Sequence, residues 1–180
     1  MVVKKVSRKK MIRGIFSGES VVSGSKEAKD LYGNKLFGEF VNQKVQYSLS
    51  EALFLVEKKK MDVFRNNKKL SFKMLMELCK KIDKKIFVKY AVFKDLRSKG
   101  YLLKTALKFG ADFRVYDKGV KPGKKHARWI LYTVSESDDL TWHEFSAKNR
   151  VAHSTRKNLL IGVVDSEGGI TFYEVGWVKA

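Results

Sequence analysis

Several features that would assign a protein to a common class are missing from this chain of 180 residues. It has one cysteine, Cys79, which excludes a disulfide or a zinc site within one chain, and a helical pattern predicts Cys79 to be a reduced thiol in the core or at its boundary. No apolar run approaches about 18 residues, and the opening segment MVVKKVSRKKMI lacks the apolar core of a signal peptide. No paired-carboxylate motif of the kind that holds magnesium is present. These absences predict a cytoplasmic protein with no membrane segment, no metal and no cofactor.

Acidic residues are also scarce. The chain has 19 Asp and Glu against 38 Lys and Arg, a formal net charge of +19. Positions 1–100 hold 25 basic and 10 acidic residues, whereas positions 101–180 hold 13 and 9. Such an excess attracts a polyanion, and the binding then weakens steeply as salt is added. A membrane surface is the rival polyanion, but no basic amphipathic helix with a clean apolar face is evident. We expect the first half to provide most of the positively charged surface that attracts the polyanion.

The pattern of apolar and turn residues predicts an α/β chain (α+β) of two domains. The first, residues 1–85, is expected to be a small, basic domain of mixed strands and helices, whose charge would suit a support role in assembly or in binding a polyanion such as RNA. The second, residues 86–180, is an α/β domain that carries the chemistry. Within the first domain, residues 1–47 alternate like short strands separated by turns.

Three helices are predicted next. Ser48 and Glu51 fit a capping box that opens a helix whose apolar positions extend to Met61. A second helix is predicted from Ser71 to Ile82. A third, over residues 85–98, ends at Gly100, because glycine adopts the left-handed conformation that terminates helices.

Beyond Gly100, strands and helices are mixed. The segment HARWILYTV predicts a strand with His126 at its mouth, and NLLIGVV predicts a buried strand entered at Lys157. Between Tyr116 and His126, the loop KGVKPGKK is rich enough in turn residues to bring the two together. Thr141 and Glu144 fit a capping box for a helix TWHEFSAKN. We therefore expect two strand edges and one loop to converge on a phosphate.

Tyr116, His126 and Lys157 form a set suited to cutting RNA. RNA carries its own nucleophile, so cleavage needs a base for the 2′-hydroxyl, an acid for the leaving 5′-oxygen and a cation for the dianionic phosphorane. Histidine suits the acid, since its unperturbed pKa lies near physiological pH, and lysine supplies the cation. Tyrosine is a poor base unless nearby cations lower its pKa. Four lysines crowd the segment: Lys118, Lys121, Lys124 and Lys125.

Taken one at a time, the three residues have plainer interpretations. They fit a boundary tyrosine, a solvated histidine and a strand-edge lysine. Their sequence context is more specific. The segments that carry it are YLLKTALKFGADFRVYD, KGVKPGKKHARWILYTV, SESDDLTWHEFSAKNRVAHSTRKNLLIGVVD and FYEVGW. This half of the chain closely resembles the archaeal tRNA-splicing endonucleases, and the first half resembles them only loosely.

The resemblance implies a role for each member of the set. Tyr116 would be the general base, His126 the general acid and Lys157 the transition-state stabiliser, and none of the three is substituted. It further implies a restriction-endonuclease-like catalytic domain and RNA products with 2′,3′-cyclic phosphate and 5′-hydroxyl ends. The implied substrate is precursor tRNA with a bulge–helix–bulge structure. Short chains of this family form homotetramers, in which two active sites cut both bulges.

Two residues are candidates for holding an RNA base. The resemblance implies that an arginine ahead of the catalytic lysine and a planar or cationic group near the C-terminus sandwich a base of the bulge. Arg150 and Trp177 fit these positions. In the alternative, Trp177 packs in a core and Arg150 pairs with Glu144 across the helix surface. For Trp177 the sequence supports the two interpretations almost equally.

Two segments are candidates for a subunit interface. The closing strand ITFYEVGWV is apolar on both faces, including Phe172 and Tyr173, which exceeds what a half-exposed strand needs. The loop SESDD is acidic in a basic protein, with Glu136, Asp138 and Asp139 available to dock on another copy. A solvated hairpin tip is the plainer interpretation of that loop.

Two other functional classes remain open. A non-catalytic RNA-binding or ribosomal protein would bind without cleaving, and replacing His126 would change nothing. A metal-dependent DNA nuclease would lose activity with chelators and would be indifferent to a missing 2′-hydroxyl. His143 and His153 compete with His126 for the acid's role, but they are predicted in a first helical turn and in a connection, where His153 has a supporting structural role.

Overall fold

The computed structural model describes residues 11–120, 123 and 125–178, and the chain divides into two compact units between Asp83 and Lys84. The opening segment up to residue 10 and three loop residues discussed above, Lys121, Pro122 and Lys124, lie outside the described residues.

The first unit is a six-stranded sheet with three helices. Its strand order is β3-β4-β2-β1-β5-β6, in which β1 and β5 are parallel and the other pairs are antiparallel. The elements, in chain order, are β1 (Ile12–Phe16), β2 (Val21–Ser23), α1 (Lys26–Lys35), β3 (Glu39–Val41), β4 (Lys44–Tyr47), α2 (Leu49–Glu57), β5 (Met61–Arg65), β6 (Lys68–Leu70) and α3 (Phe72–Ile82).

The second unit is a five-stranded sheet with two helices, in the order β11-β10-β9-β8-β7. Strands β9 and β10 are parallel, and the other neighbours are antiparallel. Its elements are α4 (Ile86–Ser98), β7 (Leu102–Ala106), a 3-10 turn (Leu107–Phe109), β8 (Ala111–Tyr116), β9 (Trp129–Ser135), α5 (Trp142–Ser154), β10 (Asn158–Val164) and β11 (Ile170–Val175). The two mixed sheets and five helices confirm the predicted α/β class.

The apolar character of β9 and β10 follows from their cover on both faces. Helix α4 packs on one face, where the Phe93 and Phe113 ring centroids are 5.6 Å apart. On the same face, a side chain at Gly162 would come within about 3.1 Å of Val92, a tight contact, so this close approach favours glycine. On the other face, Ala152 of α5 is buried with Ile130 and Leu159. Strands covered on both faces carry near-continuous apolar runs.

The predicted helix starts are confirmed. Capping boxes open α2 at Ser48 and α5 at Thr141, each with a glutamate bonded back to the cap. The hydroxyl of Ser71 caps α3, and its Cys79 is buried as expected. Gly100, with a φ of +94°, follows α4 as the left-handed residue predicted there.

Four local predictions are wrong. Residues 1–47 were predicted as strands only, yet they include helix α1, capped by Ser25. Met61 begins strand β5 instead of ending α2, because the chain leaves the helix through a left-handed Lys59. Strand β9 starts at Trp129, so His126 precedes the strand. Helix α5 extends to Ser154, so His153 lies in its last turn and not in a connection.

Among the described residues, no helix is long and apolar enough to cross a membrane.

Candidate active site

Three strand ends meet at one edge of the second sheet. The Arg128 N–H donates to the Val115 carbonyl oxygen over 2.9 Å, and the Arg128 carbonyl oxygen accepts from the Asn158 N–H over 3.0 Å. Because β8 runs antiparallel and β10 parallel to β9, the end of β8 and the starts of β9 and β10 lie side by side. This edge carries Tyr116 as the last residue of β8 and Lys157 as the residue before β10.

Strand alternation puts Tyr116 and Lys157 on the same face of the sheet. Arg114 is paired with Ile130, and Ile130 with Leu159, so these three side chains share the face that α5 covers. Tyr116 is two residues after Arg114, and Lys157 is two residues before Leu159. Both side chains therefore lie at the open end of the α5 face.

The environment of Lys157 is partly buried and cationic. Its Nζ donates to the Thr155 carbonyl oxygen over 2.6 Å and lies 5.9 Å from the centre of the Phe109 ring. Burial, and then the nearby positive charge of Arg114, lower the pKa of Lys157 below the usual lysine value. A partly desolvated ammonium beside a second cation is a strong attractor for an anion.

The other two members of the predicted set differ in exposure. Tyr116 is 6% exposed, opposite Leu102 of β7, whereas His126 is exposed two residues before Arg128. Of the described lysines predicted to crowd Tyr116, Lys118 lies with its Nζ 5.0 Å from the centre of the Tyr101 ring. The sheet edge thus brings the backbone of all three predicted catalytic positions to one end of the unit.

A polar network centred on Arg128 holds this edge. Its guanidinium lies 3.6 Å from an Asp117 carboxylate oxygen, 3.7 Å from a Glu174 oxygen and 4.4 Å from the centre of the Trp129 ring. Glu174 of β11 also accepts a 2.5 Å bond from the Asn158 amide, which is the main cause of its lowered pKa. The network ties the neighbours of Tyr116 and Lys157 to the outer strand.

Neither this network nor Arg114 was predicted from the sequence. Arg114 could have been predicted as a neighbour of the site, because residues two apart in a strand share a face and Tyr116 was already a candidate. Arg128 and Glu174 could not have been, since they are 46 positions apart and meet only through the strand order.

A groove of about 530 Å³ opens beside Lys157. The Trp177 and His153 rings stack at its rim, with centroids 4.6 Å apart and planes 26° apart. Trp177 is 55% exposed, so the alternative that it packs in a core is wrong for the single chain. The remaining lining residues are mostly polar: Asn149, Ser154, Arg156, Asn158 and Val175. Arg150 is exposed on α5, next in sequence to Asn149.

The predicted interface residues of the acidic loop differ in whether they already bond to other groups of the chain. Glu136 accepts from the Ser166 N–H over 2.6 Å, and Asp138 pairs with Lys85 over 3.0 Å. The Lys85 bond is the main cause of the lowered pKa of Asp138. Asp139 is exposed.

The outer strand of this sheet is β11. Tyr173 is 57% exposed there, whereas Phe172 is partly covered beneath Lys99, whose Nζ is 5.7 Å from the ring centre. Within the part of the chain that the structure describes, β11 has a strand partner on one side only. In that same part, no three His, Cys, Asp or Glu side chains lie close enough to share a metal ion.

Comparison with known proteins assigns the family. Residues 86–172 match the family model of the tRNA intron endonuclease catalytic C-terminal domain, and residues 12–76 match the model of its N-terminal domain. The tRNA-splicing endonuclease of Thermococcus onnurineus is 42% identical over 91% of this chain and 94% of its own length. Those of Nanoarchaeum equitans and Pyrococcus abyssi are 45% and 38% identical, over 83% and 95% of this chain and 97% and 99% of their own lengths. This chain is an enzyme that belongs to the tRNA intron endonuclease family.

Proposed function

We propose that this protein cuts precursor tRNA at both intron boundaries in a bulge–helix–bulge structure, by metal-independent attack of the 2′-hydroxyl. The main support is the meeting of the end of β8 with the starts of β9 and β10, joined through Arg128 to Val115 and Asn158. This edge carries Tyr116 and Lys157 on one face and has the exposed His126 just before β9.

In the proposed reaction, the Tyr116 Oη removes the proton of the 2′-hydroxyl, whose oxygen attacks the adjacent phosphorus. The bond from phosphorus to the 5′-oxygen breaks, and His126 gives that oxygen a proton. The products are a 2′,3′-cyclic phosphate and a 5′-hydroxyl. No metal is needed to generate the nucleophile, because the RNA supplies it.

Lys157 is proposed to stabilise the negative charge that builds up on the non-bridging oxygens. Its charge is partly desolvated, and an electrostatic contact of this kind is stronger where water is excluded. Arg114 and Lys157 repel each other in the free protein. An anion bound beside both relieves that repulsion, so the pair favours the dianionic phosphorane over the monoanionic substrate.

The proposal extends to the base-holding groups and the assembly. Trp177 has an exposed ring beside the groove of Lys157, and Arg150 is exposed on α5. We assign both to holding an unpaired base. A homotetramer, as a dimer of dimers, would use the open edge at Phe172 and Tyr173 and the acidic loop of Glu136, Asp138 and Asp139. Two-fold symmetry would then set the distance between the two cuts.

The test uses two RNAs that differ in one oxygen. Purified protein is incubated in EDTA with a bulge–helix–bulge RNA and with the same RNA carrying 2′-deoxyribose at both cleavage sites. We expect cleavage of the first, leaving cyclic phosphate and 5′-hydroxyl ends, and none of the second. Binding of both RNAs without cleavage would instead support a non-catalytic RNA-binding protein. Cleavage of the deoxy RNA, abolished by EDTA, would indicate a metal-dependent nuclease.

Replacing Trp177 by alanine should weaken RNA binding by about 5- to 150-fold. Stacking of one base on an aromatic side chain contributes about 1–3 kcal/mol. Trp142→Ala is a matched control, because Trp142 is also exposed, at 83%, but stands at the start of α5, away from the groove of Lys157. Equal losses for the two variants, measured by fluorescence anisotropy, would contradict a base-holding role for Trp177.

A further inference from the structure

The first unit carries a second groove, of about 580 Å³, between the β5–β6 hairpin and helix α3. We call it the hairpin groove. Four cations line it: Arg65 and Lys68 on the hairpin, and Lys73 and Lys81 on the helix. Its apolar floor consists of Leu70, Met74 and Leu78.

The helix wall of the groove follows from the amphipathic pattern of α3. Leu75, Met76 and Cys79 are buried against the unit. Lys73 and Lys81 are eight positions apart on the outward face, which separates them by about 12 Å along the helix axis. That length can face several successive phosphates of an RNA strand.

Two of the charge placements in the groove disfavour folding. Arg65 and Lys68 are directly opposite each other across the hairpin, and like charges in that position destabilise a strand pair. Lys73 lies in the first turn of α3, where the helix dipole favours an acidic residue. Charges that cost stability in the free protein are expected where a ligand of opposite charge binds.

The groove cations are also available. Within the described residues, none of the four has an ion-pair partner, whereas the adjacent Lys69 bonds to Asp62 over 2.6 Å. The carboxylate that lines the groove, Glu77, already pairs with Lys80 over 3.0 Å. The negative charge of Glu77 is therefore partly offset by Lys80, and the four groove cations outnumber it.

The floor adds an exposed apolar surface beneath these charges. Met74 is 52% exposed, and Leu78 is partly exposed, whereas Leu75, Met76 and Cys79 of the same helix are buried. Sugar and base faces of a nucleic acid strand can cover such a surface while its phosphates reach the rim.

We propose that the hairpin groove binds the phosphate backbone of the RNA substrate. This proposal rests on the proposed function for the identity of that RNA. The residues up to Asp83 include 19 basic and 9 acidic ones, so the positive field extends well beyond the groove. A long polyanion uses such a field more fully than a short acidic segment of a protein does.

The test compares two variants, each of which lacks three positive charges, in different places on the first unit. The groove variant carries Lys68→Gln, Lys73→Gln and Lys81→Gln. The control variant loses the same charge at three exposed lysines of the first unit that do not line the groove: Lys26→Gln, Lys44→Gln and Lys60→Gln. The affinity of each for a 2′-deoxy-blocked precursor tRNA is measured by fluorescence anisotropy over a range of salt concentrations.

We expect the groove variant to bind at least tenfold more weakly than the control at low salt. Its slope of log affinity against log salt should be shallower by about 2, since each lost phosphate contact removes about 0.7 to 0.9. Equal losses in the two variants would mean that only overall charge matters, and would overturn the proposal. Unchanged RNA binding by the groove variant would also overturn it and would favour an acidic protein partner.

The groove proposal and the cleavage proposal can fail independently, because the 2′-deoxy-blocked RNA reports binding alone. If the wild-type protein fails to cleave the unblocked RNA while binding still depends on the groove, the cleavage proposal fails and the groove stands. If the wild-type protein cleaves and the groove variant binds like the control, the groove proposal fails and the cleavage proposal stands.

Discussion

Replacing His126 by alanine should lower the single-turnover rate of RNA cleavage by about 100- to 10,000-fold, the usual contribution of a positioned general acid. The leaving 5′-oxygen would then depart as an alkoxide, so the loss falls on bond cleavage. RNA binding should be almost unchanged, because His126 is an exposed residue before β9 and not part of the sheet hydrogen bonding. Rates are measured with protein in excess over a bulge–helix–bulge RNA.

The matched control is His143→Ala. His143 is also exposed, but it lies in the first turn of α5, which begins seven residues after the end of β9. It should retain nearly full activity. A second check replaces the 5′-oxygen of the scissile bond with sulfur, which leaves without a proton. This RNA should restore most of the activity of His126→Ala. If His126→Ala cleaves the sulfur-substituted RNA as slowly as the unmodified RNA, His126 acts in some way other than as the acid.

Much of the second unit was predictable, because its signals are local. The capping box at Thr141 indicated the start of α5 through a short pattern of side-chain and backbone bonds, as the box at Ser48 did for α2 in the first unit. The apolar runs of β9 and β10 indicated strands covered on both faces. With these in place, the expectation that Lys157 lies at the entrance to β10 followed from sequence order alone, whereas β9 was predicted to begin three residues too early, at His126.

The failures occurred where local signals are weak. Helix α1 has only Ala28 buried, so its apolar periodicity is too faint to distinguish it from a turn. The β5–β6 hairpin turns through Asn66 and Asn67, both left-handed, without the glycine that usually marks such a turn.

The Arg128 network had no local signal at all. Its partners Asp117 and Glu174 come from β8's end and from β11, and only the strand order β11-β10-β9-β8 brings them together. The sequence therefore predicted the catalytic candidates and left out the groups that hold them. Contacts between distant segments depend on topology, which periodicity does not encode.

Replacing Lys157 by alanine should lower the cleavage rate by about 100- to 1,000-fold, the cost of removing one group that stabilises transition-state charge. Affinity for RNA should fall much less, because one charge is lost from a strongly basic protein. Lys108→Ala is the control, since Lys108 is an exposed lysine next to Phe109, the ring that Lys157 contacts. Similar rates for the two variants would contradict the stabilising role.

The lowered pKa of Lys157 gives this prediction a pH dependence. The charged ammonium is the active form, and burial together with Arg114 makes it lose its proton at a lower pH than an ordinary lysine. In Lys157→Arg the charge persists, because a guanidinium stays protonated throughout this range. The arginine variant should be slower than wild type at neutral pH, because its planar group fits the site less well. The ratio of variant to wild-type rate should then rise as the pH approaches the usual lysine range. The two proteins share every other group of the site, so the effects of those groups on the rate largely cancel in the ratio. A ratio that stays flat would show that the charge of Lys157 is not what the reaction uses.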